Sequence, residues 1–160
     1  MAGVVAPSEI EQGLFHLQSD PYGGSWLCLR VALSDAQQLE PRAWDVVFDR
    51  VDRHGLFFAD ARNNEPVVAL PPISVRVNPL SLYGHRFSSN LRSGTLAIVG
   101  KDPFVRIPGD GRSGIVVNLG TGAAYTSGPP SDWMAFSEWS LVVDDGDKEI
   151  ILISYIQDSV

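Results

Sequence analysis

The sequence predicts a strand-rich α+β domain, with a mostly antiparallel sheet arranged as a barrel or a sandwich and two helices in the first 55 residues. Short apolar runs separated by Gly, Pro, Asn and Asp fill residues 56–160, which is typical of antiparallel strands joined by turns. Helical spacing of apolar residues is confined to the first 55 residues. The length of 160 residues suits a single domain, residues 1–160, and the single cysteine excludes an internal disulfide bond.

The first predicted helix covers residues 9–18. A Ser-x-x-Glu capping box ends at Glu11, and the apolar residues Ile10, Leu14 and Leu17 have helical spacing. An Asp-Pro turn then ends the helix.

The next elements are a buried strand over Trp26–Leu33, which is nearly all apolar, and a second helix that begins at Pro41 and ends before Gly55. The apolar stripe of this helix consists of Trp44, Val47, Phe48 and Val51.

The rest of the chain is predicted to be β-structure. Leu56–Ala61 and Pro66–Leu70 flank a polar turn and indicate a hairpin. The other predicted strands are Ile73–Val77, Thr95–Val99, Phe104–Ile107, Ile115–Leu119, Trp139–Val143 and Ile150–Tyr155.

Charge and hydropathy limit the partners of this chain. With 12 Lys and Arg against 19 Asp and Glu, the net charge of −7 argues against a nucleic-acid partner. No apolar run approaches the roughly 18 residues of a membrane helix, and the first residues lack the basic start of a secretory signal. We therefore expect a cytoplasmic protein whose partner is a protein or a hydrophobic small molecule, with a homo-oligomer left open.

One candidate catalytic group lies in a predicted loop. His85 is flanked by Tyr83 and Arg86, and this combination could bind an acid or move a proton. Tyr125 is a further candidate for the same polar lining, with Tyr83 as a ligand contact. The alternative is a loop histidine that is hydrogen-bonded to the backbone. The three histidines share no metal-ligand spacing, so neither a metal site nor a cofactor is predicted.

Other residues are candidates for ligand binding. Arg112 lies in a glycine-rich stretch, Gly109–Gly114, which is predicted to be a hairpin loop and could bind an anion. Trp133 and Trp139 belong to an aromatic group that forms either core or a binding surface.

Several short motifs follow one another in residues 7–70. Gln12–His16 reads Gln-Gly-Leu-Phe-His, an Asp-Pro turn follows, the second predicted helix ends in Arg53-His54, and Glu65-Pro66-Val67 comes next. With these motifs in this order, residues 7–70 resemble the start of a nonribosomal peptide synthetase condensation domain. The resemblance implies half of a lobe like that of chloramphenicol acetyltransferase, from a family that joins aminoacyl units carried on phosphopantetheine arms. Residues 71–160 form the β-rich remainder.

The family's His-His-x-x-x-Asp-Gly motif is not present in this chain. Aligned on Asp158, Ile153 and Ser154 stand where the two histidines would be, and Ser159 stands for the glycine. A serine hydroxyl cannot replace an imidazole in proton transfer near neutral pH. The sequence therefore predicts a non-catalytic binding or interaction module, an accessory protein in natural-product biosynthesis. The alternative function is a small β-barrel enzyme, a cyclase or isomerase, that acts on a hydrophobic small molecule.

Overall fold

The computed structural model describes residues 3–19, 25–33, 44–48, 56–60, 66–85, 94–107, 115–125 and 134–156, with the backbone alone at 56–60, 83–85 and 145. Within these ranges the chain forms β-strands and two short 3₁₀ turns, Pro7–Glu9 and Pro79–Ser81. The strands are β1 Gly3–Val5, β2 Phe15–Ser19, β3 Ser25–Leu33, β4 Trp44–Phe48, β5 Leu56–Asp60, β6 Val67–Ala69, β7 Ile73–Val77, β8 Leu82–His85, β9 Leu96–Val99, β10 Asp102–Ile107, β11 Ile115–Asn118, β12 Ala123–Tyr125, β13 Met134–Phe136, β14 Glu138–Asp145 and β15 Lys148–Ile156.

The described strands form two open sheets. The larger sheet has the order β1-β6-β2-β3-β12-β11-β10-β9-β13-β8, and β4 and β5 branch from it at β3. The smaller sheet has the order β15-β14-β7. Pairing is antiparallel except between β3 and β12, where Ala32 lies opposite Ala123 in a parallel register.

A glycine allows β12 to approach β3. Gly122 has φ +75°, and a Cβ on it would lie 2.5 Å from the backbone oxygen of Arg30. Its carbonyl accepts a hydrogen bond from Ala32, while the N–H of Gly13 donates to the oxygen of Arg30. A side chain at position 122 would therefore push β12 away from β3.

The prediction of two helices is wrong for every described residue in the first 55. Instead of a helix over residues 9–18, the chain makes the 3₁₀ turn Pro7–Glu9 and then β2. Phe15 and Leu17 face the core, and His16 lies on the opposite face. The alternation with period two therefore decides this segment, although its apolar residues also fit a helical spacing.

The second predicted helix is replaced by β4, while its proposed ends at Pro41 and Gly55 lie outside the described residues. Trp44, Val46 and Phe48 face the core, so the same segment fits a spacing of i, i+2 and i+4. The adjacent β-branched residues Val46 and Val47 also favour a strand, because their side chains are restricted at χ1. A five-residue window is too short to separate the two periods.

The strand-rich character of the prediction is confirmed, and the barrel alternative is wrong for the described strands, which form no closed barrel. β5 pairs with β4, and β6 pairs with β1 and β2, so these two strands do not form the hairpin with each other. No helix among the described residues is long and apolar enough to cross a membrane.

The main core lies between the two sheets. Leu27, Leu29 and Val31 of β3 contribute to it from the larger sheet, and Trp139 and Leu141 of β14 contribute from the smaller one. A second, smaller apolar cluster, Ala97, Phe104, Val116 and Ala135, lies on the other face of the larger sheet. Both faces of the central strands are thus buried.

Candidate functional site

Three ionisable side chains meet on the face of the larger sheet opposite the main core. His16 of β2, Arg30 of β3 and Asp45 of β4 are only 0%, 5% and 1% exposed. Arg30 lies directly opposite Asp45, and His16 lies opposite Cys28, two residues before Arg30. Alternation along each strand places the side chains of His16, Cys28, Arg30 and Asp45 on one face. Gln18, two residues after His16 on β2, lies on the same face. We call His16, Arg30, Asp45 and Gln18 the buried polar cluster.

Asp45 is the centre of this cluster. Nε of Arg30 donates to Oδ1 of Asp45 at 2.8 Å, and Nε2 of Gln18 donates to Oδ2 at 2.6 Å. Nε2 of His16 lies 3.4 Å from the same Oδ2. Nη1 of Arg30 donates to the carbonyl of Ile10 at 3.0 Å, which fixes the segment preceding β2. The cluster therefore joins three strands and this segment.

The electrostatics of the cluster favour an ionised Asp45. Burial by itself would raise the pKa of this carboxyl, but the hydrogen bonds and charges of His16 and Arg30 hold it below its usual value. Nη2 of Arg30 is buried and has no hydrogen-bond partner among the described residues. Such a group is costly unless the remaining bonds of the guanidinium are strong.

Cys28 shows that the cluster is not a nucleophilic site. Burial, followed by the charge of Asp45, raises the pKa of the Cys28 thiol far above its ordinary value, so the thiol stays protonated. The side chain is fully buried, and its Sγ donates to the carbonyl of Trp26. A cysteine–histidine pair needs a thiolate and access for substrate. Neither condition is met here.

The structure describes two of the predicted site residues with their side chains. Trp139 is 2% exposed, stacks on Tyr155 at 5.5 Å and donates from Nε1 to the carbonyl of Gly94 at 2.8 Å. Tyr125 packs against Phe104, with 6.1 Å between the ring centroids. Both side chains thus contribute to packing.

The other predicted residues are described in part or not at all. Tyr83 and His85 lie on β8 by their backbone, and four strands separate β8 from the strand of Tyr125 in the sheet order. The candidate residues Arg86, Arg112 and Trp133 lie outside the described residues. In the described part of the chain, no group of three His, Cys, Asp or Glu side chains could hold a metal ion.

An open groove of about 450 Å³ runs along β7. One wall is the whole of β7, from Ile73 to Val77. The other wall belongs to the larger sheet and consists of Ile98, Lys101, Pro103, Leu119 and Gly120. The lining exposes more apolar than polar surface. Met134 lies opposite Ile98 on β13, and it is 44% exposed.

The backbone of β7 points polar groups into this groove. The N–H of Asn78 donates to the carbonyl of Glu138, its partner when the β7–β14 register is continued by one residue. In an antiparallel pair, hydrogen-bonded positions recur every two residues. Arg76 and Ser74 therefore bond to β14, whereas the N–H and C=O groups of Val77, Val75 and Ile73 point away from it. No described strand pairs with this edge.

The opposite edge of the smaller sheet differs from β7. β15 carries an irregularity in which Ile151 pairs with Val142 and Ile153 pairs with Leu141, so that Leu152 is an extra residue. Such a bulge interrupts the regular row of backbone groups and protects an edge from further pairing. β7 pairs with β14 without any shift of register. Among the described strands, the outer edge of β7 is therefore the better template for an added strand.

Local sequence carries little signal for the cluster and none for the groove. The cluster residues lie on three strands, and Asp45 follows Arg30 by fifteen positions in a segment predicted to be helical. The groove walls are separated by more than twenty residues. The one available clue was Arg30, a polar residue within an apolar run.

Comparisons with protein-family models, with curated proteins and with solved structures found no match for this chain.

Proposed function

We propose that the protein is a non-catalytic interaction module that binds an extended segment of a protein partner as an additional strand along β7. The observation that carries this proposal is the row of outward-pointing backbone groups on Val77, Val75 and Ile73 beside an apolar groove. Strand addition uses such a row for affinity and the adjacent side-chain surface for specificity.

The dimensions of the site suit a short peptide segment. Five residues of β7 extend over about 17 Å at 3.3 Å per residue. The groove is open along its length, whereas a small-molecule pocket encloses most of its ligand. A polypeptide occupant therefore fits the groove better than a small hydrophobic ligand.

The sequence supplies the finer parts of the proposal. The net charge of −7 favours a protein over a nucleic acid as partner, and the condensation-like residues 7–70 favour a partner in natural-product biosynthesis in the cytoplasm. The buried polar cluster supports the non-catalytic assignment, because its ionisable groups are inaccessible to any substrate.

A library of random twelve-residue peptides displayed on phage tests the proposal with the full chain as bait. Selected peptides should bind the wild type and lose at least tenfold in affinity on Val75→Pro, because proline removes an N–H that faces the groove. Val75→Ala is the matched control, since it also shortens the side chain but keeps the N–H. Its affinity should stay within about threefold of the wild type, the range expected when one partly exposed contact is trimmed.

Two further measurements distinguish a lost binding contact from a general loss of folding in Val75→Pro. Ser74→Pro removes an N–H that bonds to β14, so it should lower the free energy of unfolding by about 1–3 kcal/mol more than Val75→Pro does. In the wild type, bound peptide should slow hydrogen exchange at the amides of Val75 and Val77. Selected peptides that leave this exchange unchanged, or that bind Val75→Pro as well as wild type, would refute the proposal, as would a selection that yields no binding peptide.

A further inference from the structure

The charge in the β7 groove indicates the chemistry of its occupant. Two charged residues line the groove, Arg76 and Lys101, and both are basic although the chain as a whole is strongly acidic. The guanidinium of Arg76 is held by Glu149, with Nε 2.7 Å from Oε1. Lys101 is exposed and takes part in no ion pair within the described part of the chain. No carboxylate is among the described residues that line the groove.

Lys101 is held at a defined place beside the apolar wall. It occupies the two-residue turn between β9 and β10, where Val99 pairs with Asp102, and Gly100 supplies the positive φ of +63° that this turn needs. Ile98 and Pro103, on either side of this turn, are both groove residues. The ammonium group therefore stands at the end of an apolar surface that is anchored by a regular hairpin.

We infer that the partner segment combines apolar residues at alternate positions with an aspartate or glutamate that pairs with Lys101. This inference rests on the proposed strand addition. A strand paired with β7 directs every second side chain to the face on which Val75 and Val77 pack against the core. These alternate side chains meet Ile98 and Leu119 across the groove, while the acidic residue reaches the ammonium group at its end. The positive charge of Lys101 disfavours basic apolar segments by repulsion.

The twelve-residue phage library also tests this inference. Sequences selected on the wild type should be enriched in Asp or Glu next to alternating apolar residues. Lys101→Glu should weaken their binding about 3- to 10-fold, since an exposed ion pair is modest in strength and reversal adds repulsion. Raising the salt concentration should reduce the difference between wild type and variant.

Lys148→Glu is the matched control. Lys148 is an exposed lysine at the start of β15, outside the groove, and its reversal changes the net charge by the same amount. Affinity for the selected peptides should change less than twofold, within the scatter of surface substitutions away from a binding site. Peptides that need the N–H of Val75 but carry no acidic residue and bind Lys101→Glu normally would overturn the inference and leave the strand addition standing. Peptides that do not depend on Val75 would overturn both.

Discussion

The buried polar cluster and the β7 groove both contain polar groups, and these two regions differ in their access to solvent. Arg30 and Asp45 of the cluster are at most 5% exposed and are bonded to each other. In the groove, the N–H and C=O groups of Val75 and Val77 point away from β14 and pair with no described strand, and Lys101 is exposed. Burial therefore separates two kinds of polar group in this fold. The buried ones join strands, and the exposed ones along β7 are those that we propose to bind a partner.

The largest decrease in stability is expected when the carboxylate of Asp45 is removed. Asp45→Ala leaves the guanidinium of Arg30 buried without its counter-charge, and it removes an acceptor from Gln18. Breaking a buried ion pair by removing one partner costs about 3–5 kcal/mol. Urea unfolding should show a decrease of this size.

Asp102→Ala is the control for this measurement, because Asp102 is an exposed carboxylate at the start of β10. Its effect should stay within about 0.5 kcal/mol. If Asp45→Ala destabilised the protein no more than Asp102→Ala, the buried polar cluster would not be what stabilises the packing of these strands.

A smaller loss of stability is expected when the pH is lowered. The pKa of Asp45 lies below its usual value of 3.8 in the folded state, so the unfolded state binds more protons near that pH. The stabilisation is complete above the unfolded pKa and disappears as the pH falls through the folded pKa. Unfolding followed between pH 6 and pH 2, a range of about four units around the reference pKa of aspartate, should therefore show a steeper loss for wild type than for Asp45→Asn. The other carboxylates titrate in both proteins, so parallel curves would contradict the assigned role.

The smallest effect on stability is expected from the exposed ion pair between Arg76 and Glu149. Arg76 and Glu149 pair on the outer face of the smaller sheet with 56% and 42% of their side chains exposed. Hydrogen bonding and the charge of Glu149 raise the pKa of Arg76, but solvent screens the pair. A double-mutant cycle with Arg76→Ala and Glu149→Ala at low salt should give a coupling energy well below that of Arg30 with Asp45. A coupling comparable to that of Arg30 with Asp45 would remove the contrast between open and sealed ion pairs.

Local sequence predicts those strands whose pattern has one interpretation. β7, Ile73–Val77, has the bounds expected from its alternation. The strands expected at Trp139–Val143 and Ile150–Tyr155 lie within β14 and β15, which are joined by a turn at Gly146. The buried strand expected at Trp26–Leu33 is β3, which begins one residue earlier. These segments are bounded by turn residues and contain β-branched side chains, so that local preference and tertiary pairing agree.

The two mistaken helices show where local information ends. Trp44 and Phe48 are four residues apart, a separation that suits both one helical turn and the same face of a strand. Pairing of β4 with β3 buries Val46 and Phe48 against the core and brings Asp45 to Arg30. The partner strand, and not the segment itself, selects between the two conformations.

Composition and period-two alternation are local properties, and they suffice to predict an acidic, strand-rich chain with many tight turns. The folded chain adds three facts that no local pattern contains: Asp45 is the counter-ion of Arg30, Trp139 is buried and bonded to Gly94, and β7 lies at the edge of a sheet beside an open groove. Each of these depends on which distant strands pair and in which register. Pairing over such separations is set by the burial of a shared core, which no short stretch of sequence contains.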